Sequence, residues 1–298
     1  VSTPIFQPVI MIPEAERTDA DNKAISMVYT IQNEIRSTMQ TERNLQTTIG
    51  VSEFGMECQR CVARLLSGEH PKVRNPDEGW KAMVGTFGHA GLEDHFTRKY
   101  SQRNGRAEQA DILEGVYELS PTGVPYLPAS QVRSFATDDE PWFITERKVR
   151  VDTYKQLDLC GSCDLFIQGE TFGIVDDWKF QGPKKLVTTA TGKIGQQYTV
   201  QGNGYGKGFE DLGFLVTHFL LYALPRDGEL PDAKPVLFRY NRQVALDALQ
   251  NVHNMIDAAE VIGWDSVIAA QQPASFCFDC RRYESHDDRS FIAAIQGK

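Results

Sequence analysis

Asp164, Asp177 and Lys179 stand in two neighbouring stretches, 157–168 and 171–180, whose β-branched and aromatic content reads as strands. Between them lies Gly169-Glu170, and a glycine at the first central position suits a two-residue type II′ hairpin turn. Pairing Gln168 with Thr171 then sets Asp164 opposite Val175. Because side chains alternate along a strand, Asp164, Asp177 and Lys179 project from one sheet face. Acids gathered there repel each other and resist burial unless a cation joins them. A hard divalent ion fits, and the lysine is placed to meet an anion arriving at it. The chemistry implied is metal-dependent phosphodiester cleavage. The plainer alternative is a solvated strand face, since Asp-x-Lys is common on exposed strands.

Two helical stretches carry further candidates. Gly85, His89 and Glu93 recur at four-residue steps and share one face, so the imidazole can add a ligand while Gly85 admits a close neighbour. An i,i+4 His–Glu surface pair is the alternative. Gln197, Gln201 and Tyr205 step by four just after the Asp-x-Lys strand. Their amides and phenol can bond a phosphate, orient a water or support the lysine. Gly202, Gly204, Gly206 and Gly208 interrupt that segment at a cost of about 1 kcal/mol each in a helix interior. They imply either a phosphate-cradling loop or close packing on the sheet. No G-x-x-x-x-G-K-[ST] pattern accompanies them, which argues against a nucleotide P-loop.

Cys58-Gln59-Arg60-Cys61 and Cys277-Phe278-Asp279-Cys280 form two CxxC pairs far apart in the chain. Four thiolates so arranged suit a tetrahedral zinc or a four-iron cluster. Ligands from both segments would close the chain over what lies between, because metal-binding free energy becomes folding free energy. Cys160 and Cys163 fall within a strand, on opposite faces, and read as core or wall residues.

The net charge of −9 argues against a protein that coats nucleic acid by bulk electrostatics. A local basic patch is still open to Arg147, Lys148 and Arg150, to Lys184, Lys185 and Lys193, and to Arg281 and Arg282. The apolar run 9–12 is too short for a signal segment. The run 212–224 contains Thr217 and His218 and falls short of a membrane span. A cytoplasmic location with reduced thiols is expected, so the cysteines read as ligands or core before disulfides.

The elements that must position these residues follow from periodicity. Residues 1–20, with Pro4, Pro8 and Pro13, read as an extended arm. Apolar Ile25, Val28, Ile31, Ile35 and Met39 predict an amphipathic helix over 22–45. Helices follow over 52–66 and 80–100, then loops and short strands over 103–140. Strands are expected over 142–154, 157–168 and 171–180, a helix over 190–209, strands over 212–223 and 235–240, and a last helix over 243–262. That order implies an α/β class with a mixed sheet flanked by helices.

Taken together and in order, these clusters resemble the RecB-like branch of the PD-(D/E)XK nucleases, specifically the CRISPR-associated exonucleases and their stand-alone phage relatives. The family's helical histidine looks like His89 after Gly85, and its first sheet carboxylate like Asp164 after Gly161. Its Asp/Glu-x-Lys signature looks like Asp177-Trp178-Lys179, and its Gln-x-x-x-Tyr motif like Gln201 and Tyr205. The similarity spans about residues 50–285. One departure is the cysteine split, two and two here against one and three in the best-known members.

The resemblance implies a restriction-endonuclease-like α-β-β-β-α-β core, with residues 1–50 as an N-terminal arm and helix and 51–298 as the nuclease domain. It implies Mg²⁺ or Mn²⁺ at His89, Asp164 and Asp177, joined by a carbonyl of Trp178 or Lys179. Lys179 would position the attacking water and stabilise developing charge, with Gln201 and Tyr205 in support and Glu93 behind His89. It further implies a 4Fe-4S cluster at Cys58, Cys61, Cys277 and Cys280, with zinc as the alternative. The implied substrate is single-stranded DNA ends, in DNA processing, recombination or repair, with no membrane partner. A catalytically inactive DNA-binding or redox-sensing protein on the same fold is the competing expectation.

Overall fold

A computed structural model describes residues 8–35, 49–69, 76–274, 277 and 280–283. Its strands are β1 (Val9–Ile10), β2 (Glu118–Leu119), β3 (Pro125–Tyr126), β4 (Trp142–Tyr154), β5 (Leu157–Gln168), β6 (Gly173–Gln181), β7 (His218–Pro225) and β8 (Lys234–Arg239). Its helices are α1 (Asp19–Ile35), α2 (Val51–Phe54), α3 (Gln59–Leu66), α4 (Pro76–Lys99), α5 (Gln109–Glu114), α6 (Ala129–Phe135), α7 (Pro183–Ala190), α8 (Gln196–Asp211), α9 (Arg242–Ile262), α10 (Trp264–Ala270) and α11 (Cys280–Tyr283).

One mixed sheet, in the order β1-β8-β7-β6-β5-β4, forms the centre, and β2 pairs β3 apart from it. β4, β5 and β6 run antiparallel as a meander. β6 and β7 are parallel, which demands a long crossover, and α7 and α8 supply it. Pro183 opens α7, where its missing N–H costs nothing.

Both faces of the sheet are covered. On one, Phe166, Val175, Phe219 and Leu221 pack against Tyr205 and Phe209 of α8 and Leu249 and Val252 of α9. On the other, Leu165, Ile174, Trp178, Leu220 and Tyr222 pack against Leu92 and Phe96 of α4 and Val28 and Ile31 of α1. The mixed α/β class with flanking helices is therefore as expected.

The glycines of α8 are explained by this packing. A Cβ at Gly202 would run into the Phe219 ring, and one at Gly208 would lie 2.7 Å from Val149 Cγ2. α8 is a continuous helix pressed onto the sheet, not a phosphate-cradling loop.

Asp21 ties α1 to the sheet. Buried at 2% exposure, it accepts from Thr18 N and Oγ1 at 2.7 and 2.8 Å and from Arg239 Nη2 at 2.5 Å, and pairs with His218 Nε2 at 2.9 Å.

Several expectations shift. The β5–β6 hairpin pairs Gln168 with Gly173, not Thr171. Its connection is the four-residue loop 169–172, closed by Gly169 N donating to Phe172 O at 2.9 Å. The helix expected over 22–45 is described from Asp19 to Ile35; Met39 and the Ile35 side chain lie outside the description. The stretch 52–66 is two helices, broken where Cys58 caps α3. The stretch 190–209 divides into the end of α7 and α8. The segment 103–140 holds two helices as well as short strands, because α5 and α6 are too brief to show a periodicity. The strand expected from 212 begins at His218, and within the arm Val9–Ile10 forms a parallel edge strand on β8.

Candidate active site and four-cysteine centre

The strand ladder between β5 and β6 ends at Leu165 opposite Asp176. Beyond it the two strands part, and the freed Trp178 N–H donates to Asp164 Oδ2 at 2.7 Å. Asp164 Oδ1 lies 3.2 Å from His89 Nδ1 on α4. The imidazole is held between the Trp178 and Phe180 rings, at centroid separations of 5.9 and 5.6 Å. The close approach expected at Gly85 falls at Gly88, where a Cβ would meet the Phe180 ring; the nearest atom to Gly85 would be 3.8 Å away.

Asp177 takes a different set of partners. Its Oδ1 accepts from Lys179 Nζ at 2.8 Å and Gln201 Nε2 at 2.9 Å, and its Oδ2 lies 2.7 Å from the same ammonium. α4 and α8 cover opposite faces of the sheet, so Asp164 meets one layer and Asp177 the other. The two acids approach at the parting of β5 and β6 rather than from one flat face, as the two-residue turn had implied.

A third acid joins them. Ligand atoms of His89, Glu146 and Asp164 all lie within 4.8 Å of one another. Glu146 has an unusual positive φ of 47° for a non-glycine residue. A bulge between Arg150 and Asp152 explains its placement. The β4–β5 pairing starts at Tyr154 with Leu157, and carried straight down it would set Arg147 opposite Asp164. The bulge slips the register by one, pairing Thr145 with Leu165 and Arg147 with Cys163, which leaves Glu146 facing Asp164. Sequence reasoning missed Glu146. The available signal was an acid in the strand next to Asp164, but only a bulge turns it inward.

The same slip removes Arg147 from the expected basic patch. Its guanidinium is buried over the Tyr126 and Phe214 rings, at 4.5 and 5.1 Å, and burial pulls its pKa down to about 10. Arg150 is tied to Asp158 at 2.6 Å, and the side chains of Arg281 and Arg282 lie outside the description. Gln197 donates to Ser52 O at 2.8 Å, away from the acids. Tyr205 is buried, its phenol pushed far up by burial and by Asp177 and Asp164, and so stays neutral. The ion-pair partner of His89 is Asp164 and not Glu93.

Burial sets the electrostatics. It pushes Asp177 up to about 6, opposed by Lys179. Burial would also raise Asp164, but the adjacent imidazole outweighs it and holds this carboxyl below its usual range. Conversely, burial would lower His89, and Asp164 reverses the direction. Lys179 stays protonated because Asp177 and Asp164 overcome its own desolvation.

This arrangement fits a hard divalent ion. The carboxylates are donors that suit Mg²⁺ or Mn²⁺, and the imidazole adds one nitrogen donor, its Nδ1 only 3.2 Å from Asp164 Oδ1, so the two could share one ion. His89, Glu146 and Asp164 could hold the ion, while Asp177, expected among the ligands, is engaged by Lys179 and Gln201.

The cysteines form a second cluster. Cys58, Cys61, Cys277 and Cys280 all lie within 4.8 Å at sulfur. Cys58 and Cys61 flank the start of α3, and Arg60 Nε reaches Gln271 O at 3.0 Å, tying α3 to the later segment. Burial raises the Cys58 thiol, but backbone N–H groups of Ala274 and Cys61 outweigh it and bring it down to about 7. Burial pushes Cys280 up to about 12. All four are free of disulfides, and Cys160 and Cys163 are buried elsewhere. The quartet can bind a metal.

No protein-family model and no curated protein sequence matches the chain. Among solved structures it is similar to the "Putative exonuclease" from Eubacterium rectale, at 10% identity, covering 83% of this chain and 92% of that chain with a TM-score of 0.39. A likeness that low carries no argument about activity.

Proposed function

We propose that this protein is a metal-dependent deoxyribonuclease of the RecB-like PD-(D/E)XK type, acting as an exonuclease on single-stranded DNA ends. The observation that carries the reading is the gathering of His89, Glu146 and Asp164 beside the Asp177–Lys179 pair, at a break between two buried strands. No stability argument calls for three acids there, since like charges in a low-dielectric site oppose folding.

When bound, Mg²⁺ or Mn²⁺ supplies Lewis acidity toward a phosphodiester. The chain's own groups do the rest. The Lys179 ammonium, fixed by Asp177, stabilises negative charge developing on the phosphoryl oxygens and positions the attacking water. Gln201 holds Asp177 in that orientation, and Trp178 N–H holds Asp164. Tyr205, as a neutral donor, supports the site from α8. We read residues 51–298 as the nuclease domain and 1–50 as an appended arm and helix. The quartet acts as a structural metal centre; the family resemblance implies 4Fe-4S there, and the donors equally suit zinc. A cytoplasmic setting suits the reduced thiols. Among the described residues no helix is long and apolar enough to cross a membrane.

The test is digestion of end-labelled single strands with Mg²⁺ or Mn²⁺, comparing wild type with Asp177→Asn and Lys179→Met. Metal-dependent release of nucleotides by the wild type alone is expected. Equal digestion by the variants would place the activity elsewhere, and no digestion by any would favour the DNA-binding alternative.

A further inference from the structure

The spacing of the four thiols discriminates between the two metals that their chemistry allows. Cys58 and Cys280 sulfurs lie 3.4 Å apart, Cys61 and Cys280 3.4 Å, and Cys61 and Cys277 3.5 Å. Every separation in the quartet is within 4.8 Å. A single zinc with Zn–S bonds of about 2.3 Å puts its thiolates at tetrahedron corners about 3.8 Å apart. A four-iron cluster binds each thiolate to a different iron with sulfides between them, so its thiolates stand on the order of 6 Å apart.

The surroundings oppose the expansion that a cluster would need. Cys61 is fully buried and Cys58 nearly so. α3, which they begin, is anchored by Val62 and Ala63 in the main core. Opening the quartet on their side would therefore mean rearranging buried thiols beside a packed helix. The neighbouring cavity, about 240 Å³, is bordered by Cys58 and Cys277 but not by Cys61 or Cys280, so it lies beside the quartet and not within it. The 4Fe-4S cluster implied by the resemblance does not fit this arrangement.

We propose that the quartet binds one tetrahedral zinc ion, and that the centre is a redox-inert clamp joining the start of α3 to the segment around α11. Binding displaces the thiol protons and forms four Zn–S bonds, with no change of oxidation state. The two-and-two CxxC split suits this arrangement, because each pair supplies one edge of the tetrahedron.

The experiment is metal and acid-labile sulfide analysis of the full-length protein, produced both aerobically and anaerobically, together with its visible spectrum. A colourless protein with about one equivalent of zinc per chain and no labile sulfide is expected. Cobalt(II) in its place should give the visible bands of a tetrahedral thiolate site with the melting temperature kept. A brown anaerobic preparation with iron and labile sulfide would overturn the proposal, as would a red single-iron protein or one that binds no metal at all. Asp177→Asn should carry the same zinc as wild type. The result thus stands or falls apart from any nuclease activity.

Discussion

The acidic site and the cysteine quartet are built on opposite plans. The first draws its candidate groups from several elements: His89 from α4, Glu146 from β4, Asp164 from β5, with Asp177 and Lys179 from β6. It sits where a strand ladder fails and holds one carboxyl near 6. The second draws its ligands from two short CxxC segments and brings distant parts of the chain together. Groups arranged at a cost to folding belong to function, and groups whose metal closes the chain belong to stability.

Variants of the two sites should therefore behave in opposite ways. Asp177→Asn or Lys179→Met should lower the DNA-cleavage rate by about 10²–10³-fold or more, because the first frees the ammonium that Asp177 fixes and the second removes the positive charge aimed at the reacting phosphate. Circular dichroism and the melting curve should show a folded protein. Cys280→Ser should do the reverse. Loss of one thiolate from the quartet should cost about 3 kcal/mol, a fall of about 5 °C in melting temperature for a chain of this size, with catalysis by the surviving folded fraction little changed. A fully stable Cys280→Ser protein that had lost only activity would show that the quartet serves the chemistry.

The same contrast explains what could be read in advance. His89, Asp177, Lys179 and Gln201 announce themselves by short spacings, and a face shared at a step of two or four survives small errors in element boundaries. The central strands are legible for a similar reason: buried strands of β-branched and aromatic residues at 142–154 and 157–168 leave little choice. The hairpin loop after Gln168 was misjudged because Gly169 satisfies a two-residue turn locally, while the sheet closes it two residues later. Glu146 was invisible because its position depends on a bulge five residues away, and no local propensity records that slip. Arg147 was misplaced by the same event. The CxxC pairs were plain, and the expectation that they meet in one quartet holds, because two such pairs in one chain suit a single metal centre.

Asp21, unlike the acids of the candidate site, is a buried acid whose carboxylate is held by Thr18, His218 and Arg239. Arg239 chiefly, with Thr18 and His218, holds its carboxyl well below the usual carboxylate range against the cost of burial. Asp21→Asn should therefore destabilise the fold by about 2 kcal/mol at neutral pH. A folded pKa below the unfolded value gives stability that is present above the unfolded pKa, about 3.9, and lost as pH falls through the folded one. The gap between wild type and Asp21→Asn in urea unfolding should accordingly narrow from pH 6 to pH 3. A gap independent of pH would mean that packing, not charge, anchors α1.

Glu146 gives the smallest and most discriminating effect. If its carboxylate belongs to the cation site, Glu146→Gln keeps the shape of the side chain and removes one charge from the ion. The Mn²⁺ concentration giving half-maximal cleavage should then rise about 10-fold, near 1.4 kcal/mol, while the rate at saturating metal recovers most of its value. Removing a carboxylate from an acid cluster also relieves repulsion on Asp164 and Asp177, so the metal-free variant should melt slightly above wild type. The two effects together, weaker metal binding with a more stable apo fold, are what a functional acid predicts. A structural acid would lose stability without shifting the metal dependence, and Glu146 would then belong with Asp21 rather than with Asp164.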